Sequence, residues 1–163
     1  NTEIIAFVIR QRVRMAMIGN KGSAQRLDYG VMGDLINSAA RVESLTKYYG
    51  ISFLMTHEAY NKLSNRPLFR VIDLALPVGK STPFELLEIK NPLSASHFEK
   101  IAPDYNAAFE KYRRGEFAPA HQAFQGLAQQ YGDAPSRLLA QRCEELLLHS
   151  PEHWTGVYKF TTK

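Results

Sequence analysis

The chain of 163 residues reads as an α/β or α+β sandwich built on one open sheet, followed by a small helical unit. Three observations predict this. Short β-branched and aromatic runs alternate with helical patterns over residues 4–89. Asn91-Pro92 then punctuates the chain. Beyond it the periodicity is helical, which divides the chain into residues 1–91 and 92–163.

Taken in order, residues 4–9 are rich in β-branched and aromatic side chains and predict a first strand. Residues 13–18 are a second apolar stretch, ended by a glycine-punctuated turn at 19–23. Residues 27–32 predict a short strand stopped by Gly33. Asp34 then stands at a helix N-cap, where its carboxylate accepts first-turn amides. That helix runs to Tyr49 with Leu35, Ala39, Val42 and Leu45/Thr46 on one stripe, and Gly50 stops it. Residues 51–55 predict a strand, and Thr56 caps a short helix through Leu63. Residues 69–76 and 84–89 predict two more strands, joined across 77–83.

The second unit predicts helices at residues 105–112, 118–131 and 136–149. Gly115-Glu116-Phe117, Ala120, Phe124 and Leu127 resemble the helix-turn-helix spacing of a tetratricopeptide repeat: glycine turns, the small alanine lets helices approach, and aromatics fill the gap. One repeat cannot bury its own face, so it is expected to pack on the sheet unit or on a partner. A structural cap is favoured over peptide recognition. Residues 154–160 predict a closing strand or an anchoring tail.

Composition narrows the function classes. At 45% hydrophobic and 22% charged residues, the chain is ordinary for a folded domain. A formal charge of +4 and a pI near 9.2 suit an anionic ligand such as a nucleotide, but a solvated face is the favoured reading of the clusters Arg10/Arg12/Arg14 and Lys111/Arg113/Arg114. No module or aromatic stacking pattern points to nucleic acid. Cys143 is the lone cysteine, which excludes an internal disulfide and fits a reducing compartment; its helical offsets to Leu139 and Leu146 predict a buried thiol. No apolar run approaches the ~20 residues of a membrane span, so a cytoplasmic chain is expected, including the cytoplasmic part of a larger sensor protein. The chain starts in mid-pattern without Met, which predicts a fragment.

Three other signals carry no chemistry. Gly79-Lys80-Ser81-Thr82 lacks the P-loop's earlier glycine, since Leu74 stands there, and Pro83 follows instead of a helix. His57, His97, His121, His149 and His153 show no zinc spacing. Ser23, Ser38 and Ser44 show no triad pattern.

The chemistry-bearing segment is residues 19–41, GNKGSAQRLDYGVMGDLINSAAR. Residues four apart on a helix share a face, so Asn37 and Arg41 point the same way. Asn offers an amide donor and Arg a planar guanidinium that matches phosphate oxygens. Taken alone, such a pair usually decorates a solvent face. Gly19-Asn20, Gly22-Ser23, Tyr29, Gly33-Asp34 and the continuation RVESLTKYYG at 41–50 accompany it. Together they resemble the signature of class III adenylate/guanylate cyclases over about residues 14–89. The helical tail with Trp154-Thr155-Gly156-Val157 resembles extensions found after some bacterial members.

The resemblance implies an α+β fold with an open, ferredoxin-like cyclase sheet, incomplete here. Residues 1–91 would be the C-terminal half of the catalytic domain, and 92–163 a tetratricopeptide-like extension. The implied reaction takes ATP or GTP: the ribose 3′-hydroxyl attacks the α-phosphorus, pyrophosphate leaves and a cyclic 3′,5′-monophosphate forms. Asn37 would orient the ribose and Arg41 would stabilise the transferring phosphoryl group, as catalytic residues. The family's base-reading position is Gly30 here, and Val78 stands where its triphosphate lysine is expected, leaving Gly30 and Lys80 as nucleotide-binding positions. Arg14 stands where a glycine is common, and Asp34 reads as a cap rather than a metal ligand.

The family holds Mg or Mn through two aspartates in its first half. No acidic residue except Glu3 precedes Asp28, so no metal ligands are expected in this chain. The implied partners are a nucleoside triphosphate and a second cyclase domain or a second copy. The isolated chain is expected to be inactive. The alternative is a degenerate, cyclase-derived regulatory or interaction module without catalysis.

Overall fold

The computed structural model of the chain describes residues 17–23, 26–32, 34–79, 81–90 and 96–161, with side chains from Arg41 onward apart from Glu43. The strand expected at 4–9, the stretch at 13–16, Gly33, Lys80 and the Asn91-Pro92 boundary lie outside the described residues.

Met17–Ser23 (β1) and Arg26–Met32 (β2) form an antiparallel hairpin with Gly19 opposite Gly30. The turn expected at 19–23 is therefore strand. A glycine offers no side chain to a sheet, but its amide and carbonyl still enter the ladder.

Helix Asp34–Tyr49 (α1) ends as expected at Gly50, whose φ is 67°. Gly50 N–H donates to Lys47 O at 3.3 Å and Ile51 N–H to Thr46 O at 3.0 Å, a Schellman cap. Ile51 therefore spends its amide on the helix end, and the chain joins the sheet only at Met55–Thr56 (β3), not over the whole of 51–55. Thr56 Oγ1 accepts from Ala59 N–H at 3.3 Å and caps His57–Tyr60 (α2), which stops short of Leu63.

Phe69–Leu76 (β4) and Phe84–Ile89 (β5) keep the expected bounds. With Tyr158–Lys159 (β6) they complete a four-stranded sheet in the order β3-β5-β4-β6, in which only β6 runs parallel to its neighbour. The fold is α+β, with helices packed on an open mixed sheet.

Helices Phe98–Arg113 (α3), Phe117–Tyr131 (α4) and Ala134–Leu148 (α5) follow. The first was expected only from residue 105, after Pro103. It starts earlier because that turn buries Phe98, Ile101 and Ala102, which outweighs one missing amide bond at Pro103. Helix α3 also repairs the sheet. Strand β4 slips register between Val71 and Asp73. Asn106 Oδ1 accepts from Val71 N–H at 2.8 Å, and Tyr105 Oη donates to Ile72 O at 3.2 Å, which satisfies the groups the bulge releases.

One apolar core joins these parts. It includes Val42, Leu45 and Tyr49 of α1, Ile72 and Leu86 of the sheet, and Tyr105, Phe124 and Leu139 of the helices. Ala120, Phe124 and Leu127, the repeat-like positions, are all buried within the chain. Trp154 Nε1 donates to Tyr112 O at 3.0 Å and Arg113 O at 3.1 Å, so the tail is anchored before it forms β6. Among the described residues, no helix is long and apolar enough to cross a membrane.

Candidate functional site

Helix α1 buries Val42, Leu45, Thr46 and Tyr49, at offsets that define one face. Arg41 stands beside that stripe and is half-buried. Its Nη1 donates to the carbonyl oxygen of Val78, in the loop between β4 and β5. A Cβ added at Gly79 would lie 3.7 Å from Arg41 Nη2 and 3.9 Å from Nη1. The guanidinium therefore lies along the Val78–Gly79 peptide. Gly79 has φ 75°, a conformation glycine adopts without strain, and it shapes the turn that presents the carbonyl. Ser44 Oγ donates to Arg41 O at 2.8 Å on the exposed side.

The geometry brings together two segments singled out in the sequence: the Asn37/Arg41 helix and the loop leading to Lys80. Asn37 occupies α1 one turn before Arg41, and Gly30 sits in β2 opposite Gly19. The side chain of Asn37, and Lys80 altogether, lie outside the described residues. Chemically, Arg41 is a fixed cation with one of its five N–H donors committed to a neutral carbonyl. The remaining donors suit an anion with several oxygens.

Sequence reasoning missed two buried charge networks behind this site. In the first, Asp73 Oδ2 accepts from Tyr49 Oη at 2.6 Å and from Arg142 Nη1 at 2.5 Å. Arg142 also donates to Tyr112 Oη at 3.3 Å and to Tyr48 Oη at 3.4 Å. Its guanidinium carbon lies 3.4 Å from the centre of the Tyr158 ring. Burial alone would lower the Arg142 pKa, but Asp73, Tyr112 and Tyr49 leave it raised, so the side chain stays charged. Burial, then Asp73, pushes the Tyr49 hydroxyl well above its ordinary range.

In the second network, Arg70 Nη2 meets Glu88 Oε2 at 2.6 Å and Nη1 meets Asp133 Oδ1 at 2.9 Å. Asp133 Oδ2 accepts from Ser136 N–H at 2.9 Å, capping α5. Burial raises the Glu88 pKa against the opposing pull of Arg70. A signal for the first network was present in the sequence: Asp73 interrupts an apolar strand, and Arg142 precedes Cys143 in a helix with a buried apolar face.

Among the described residues, no three or more His, Cys, Asp or Glu side chains stand together to hold an ion. Among the described residues there is thus no carboxylate set for the Mg or Mn ion that the cyclase resemblance implies.

No family model matches the chain. Over 74 residues it is 34% identical to adenylate cyclase 1 of Rhizobium meliloti (strain 1021), a match covering 45% of this chain and 11% of that protein. Over 77 residues it is 38% identical to an adenylate cyclase of Anabaena cylindrica, covering 45% and 15%. The chain is related to adenylate cyclases. A third match, to the terminal-differentiation-specific adenylate cyclase of Dictyostelium discoideum, is 28% identical over 138 residues, or 78% of this chain and 6% of that protein. It is too long to lie within residues 1–91, so it takes in part of the helical unit. The chain spans only 6% to 15% of the length of these cyclase relatives.

Proposed function

We propose that this chain supplies the phosphoryl-stabilising side of a class III nucleotide cyclase site, working on ATP or GTP in signal transduction. The observation that carries the reading is Arg41, held beside the β4–β5 loop with donors left for an anion. Residues 1–91 would be the C-terminal half of the catalytic domain and 92–163 its tetratricopeptide-like extension. The substrate's 3′-oxygen forms a bond to the α-phosphorus while the bond to the β-phosphate oxygen breaks. The hydroxyl proton passes to solvent and pyrophosphate leaves. In that step Arg41 donates to oxygens whose charge grows, and Asn37, one turn earlier, orients the ribose. Lys80 and the backbone at Gly30 would border the nucleotide. A pre-organised donor of this kind is worth about 3–4 kcal/mol of barrier.

The Mg or Mn ion and its carboxylates are assigned to a second cyclase domain that carries the family's first half, so the chain alone would not turn over. The experiment is calorimetric titration of the chain with ATP and GTP, repeated for Arg41→Ala. The expected result is binding that Arg41→Ala weakens roughly 10- to 100-fold, the worth of hydrogen bonds to a charged group. Robust cyclic nucleotide production by the isolated chain with manganese would contradict the assignment of the metal elsewhere.

A second reading, a cyclase-derived interaction module, draws on Gly30 and Val78 at positions where the family resemblance expects polar side chains. It requires no nucleotide affinity at all. The same titration therefore separates the two.

A further inference from the structure

Helix α1 is gripped at its C-terminal end from the far side of the chain. Tyr48 and Tyr49 both reach the Asp73–Arg142 pair: Tyr49 donates to Asp73 at 2.6 Å, and Tyr48 accepts from Arg142 at 3.4 Å. The pair is sealed, with side-chain exposures of 4% for Arg142 and 0% for Asp73. A second contact lies beside it. A Cβ at Gly50 would stand 2.8 Å from that of Ala134, so the end of α1 abuts the start of α5.

Arg41 and Tyr48 are seven residues apart, or two turns, and so share one face about 10 Å apart. Over so short a length a packed helix moves as a rod. Its roll at Tyr48–Gly50 therefore fixes where Arg41 emerges at its other end, beside Val78.

We propose that Asp73 and Arg142 are positioning residues for Arg41: through them, the last helix of the helical unit sets the roll of α1 and the aim of its guanidinium. The helical unit is then a brace for the phosphate-facing residue, and anything that shifts α5 retunes the site. This rests on the reading of Arg41 as an anion donor, but one of its tests does not.

That test follows exchange of the Arg41 guanidinium protons with water by NMR, in the whole chain, without nucleotide. The variants are Arg142→Lys and Tyr49→Phe, with Phe124→Leu as a core variant outside the network. Exchange at Arg41 is expected to quicken at least about fivefold in the first two and to stay unchanged in the third. Tyr49→Phe removes one oxygen only and decides the matter if Arg142→Lys does not fold. Unchanged exchange in folded Tyr49→Phe, or equal acceleration in Phe124→Leu, overturns the proposal. The second test is a double-mutant cycle on ATP affinity. Tyr49→Phe is expected to weaken ATP about three- to tenfold when Arg41 is present and to do nothing in Arg41→Ala. Additive losses overturn the positioning role. Absence of any ATP binding overturns the cyclase reading instead, and the exchange measurement still decides this one.

Discussion

The Arg41 guanidinium donates to the carbonyl oxygen of Val78, which ties α1 to the loop after β4. A carbonyl steadies the guanidinium plane without neutralising its charge, so the cation keeps the donors that the proposed phosphate contact requires. Arg41→Lys keeps the charge but loses the fork that serves carbonyl and phosphate together. On the proposed function, when the chain is combined with a metal-holding cyclase domain, Arg41→Ala is expected to lower kcat about 10²–10³-fold. Arg41→Lys should recover only a small part of that loss. Rates of cyclic nucleotide formation check both, and an alanine variant within about threefold of the parent would remove Arg41 from the chemistry.

Stability should depend on the Asp73–Arg142 pair out of proportion to its size. Removing one partner strands the other charge in a closed interior, at a cost of about 3–5 kcal/mol. Asp73→Asn is expected in that range by urea unfolding. Tyr49→Phe leaves the pair intact and loses one hydrogen bond to a charged acceptor, about 1.5–3 kcal/mol. The order of the two losses is the test: a Tyr49→Phe cost equal to that of Asp73→Asn would mean the ion pair itself contributes little.

The contact between the end of α1 and the start of α5 makes a separable claim. Gly50→Ala introduces two faults, a side chain at φ 67° and a Cβ 2.8 Å from that of Ala134. The left-handed conformation alone costs about 1–2 kcal/mol. The collision adds to it. Adding Ala134→Gly removes the collision and leaves the backbone strain, so the double variant should regain part of the lost stability. If Ala134→Gly makes Gly50→Ala worse by its own full cost, the two helices do not meet as described.

Much of this architecture was legible because local patterns and packing agree. Strands β4 and β5 fell at their expected bounds, because the apolar and aromatic residues of Phe69–Leu76 and Phe84–Ile89 are bounded by turn residues. Gly50 ended α1 because only the left-handed cap could satisfy its last carbonyls. Where reading failed, a distant partner or the backbone decided. Glycines at 19 and 22 read as a turn, yet their main-chain groups pair with β2. The first helix of the second unit was expected only from residue 105, yet buried core residues before that point drew an earlier turn into α3. In the site, Arg41 was visible from its spacing to Asn37. Its partner Val78 was not, because the bond runs to a main-chain carbonyl, which any residue carries. Arg142 reaches Asp73 across 69 positions of chain, a separation that no periodicity reports.

Alkali should unfold the chain through groups that folding holds protonated. Burial pushes the Cys143 thiol from 9.0 up to about 12, and burial likewise raises the Tyr49, Tyr105 and Tyr112 hydroxyls. A group whose pKa is higher folded than unfolded stabilises the fold fully below its unfolded value. That contribution is lost as pH climbs toward its folded value. The window therefore opens near pH 9 for Cys143 and near pH 10 for the tyrosines. From these groups, stability should be level between pH 7 and about pH 8.5, then fall by up to about 1.4 kcal/mol per pH unit for each group engaged. Cys143→Ala should make the fall shallower at its lower edge. A thiol reagent at pH 8 should label Cys143 only as fast as the chain opens, since the thiol is buried and protonated. Rapid labelling of folded protein, or a melting temperature unchanged from pH 8 to pH 11, would place these side chains in water rather than in the core.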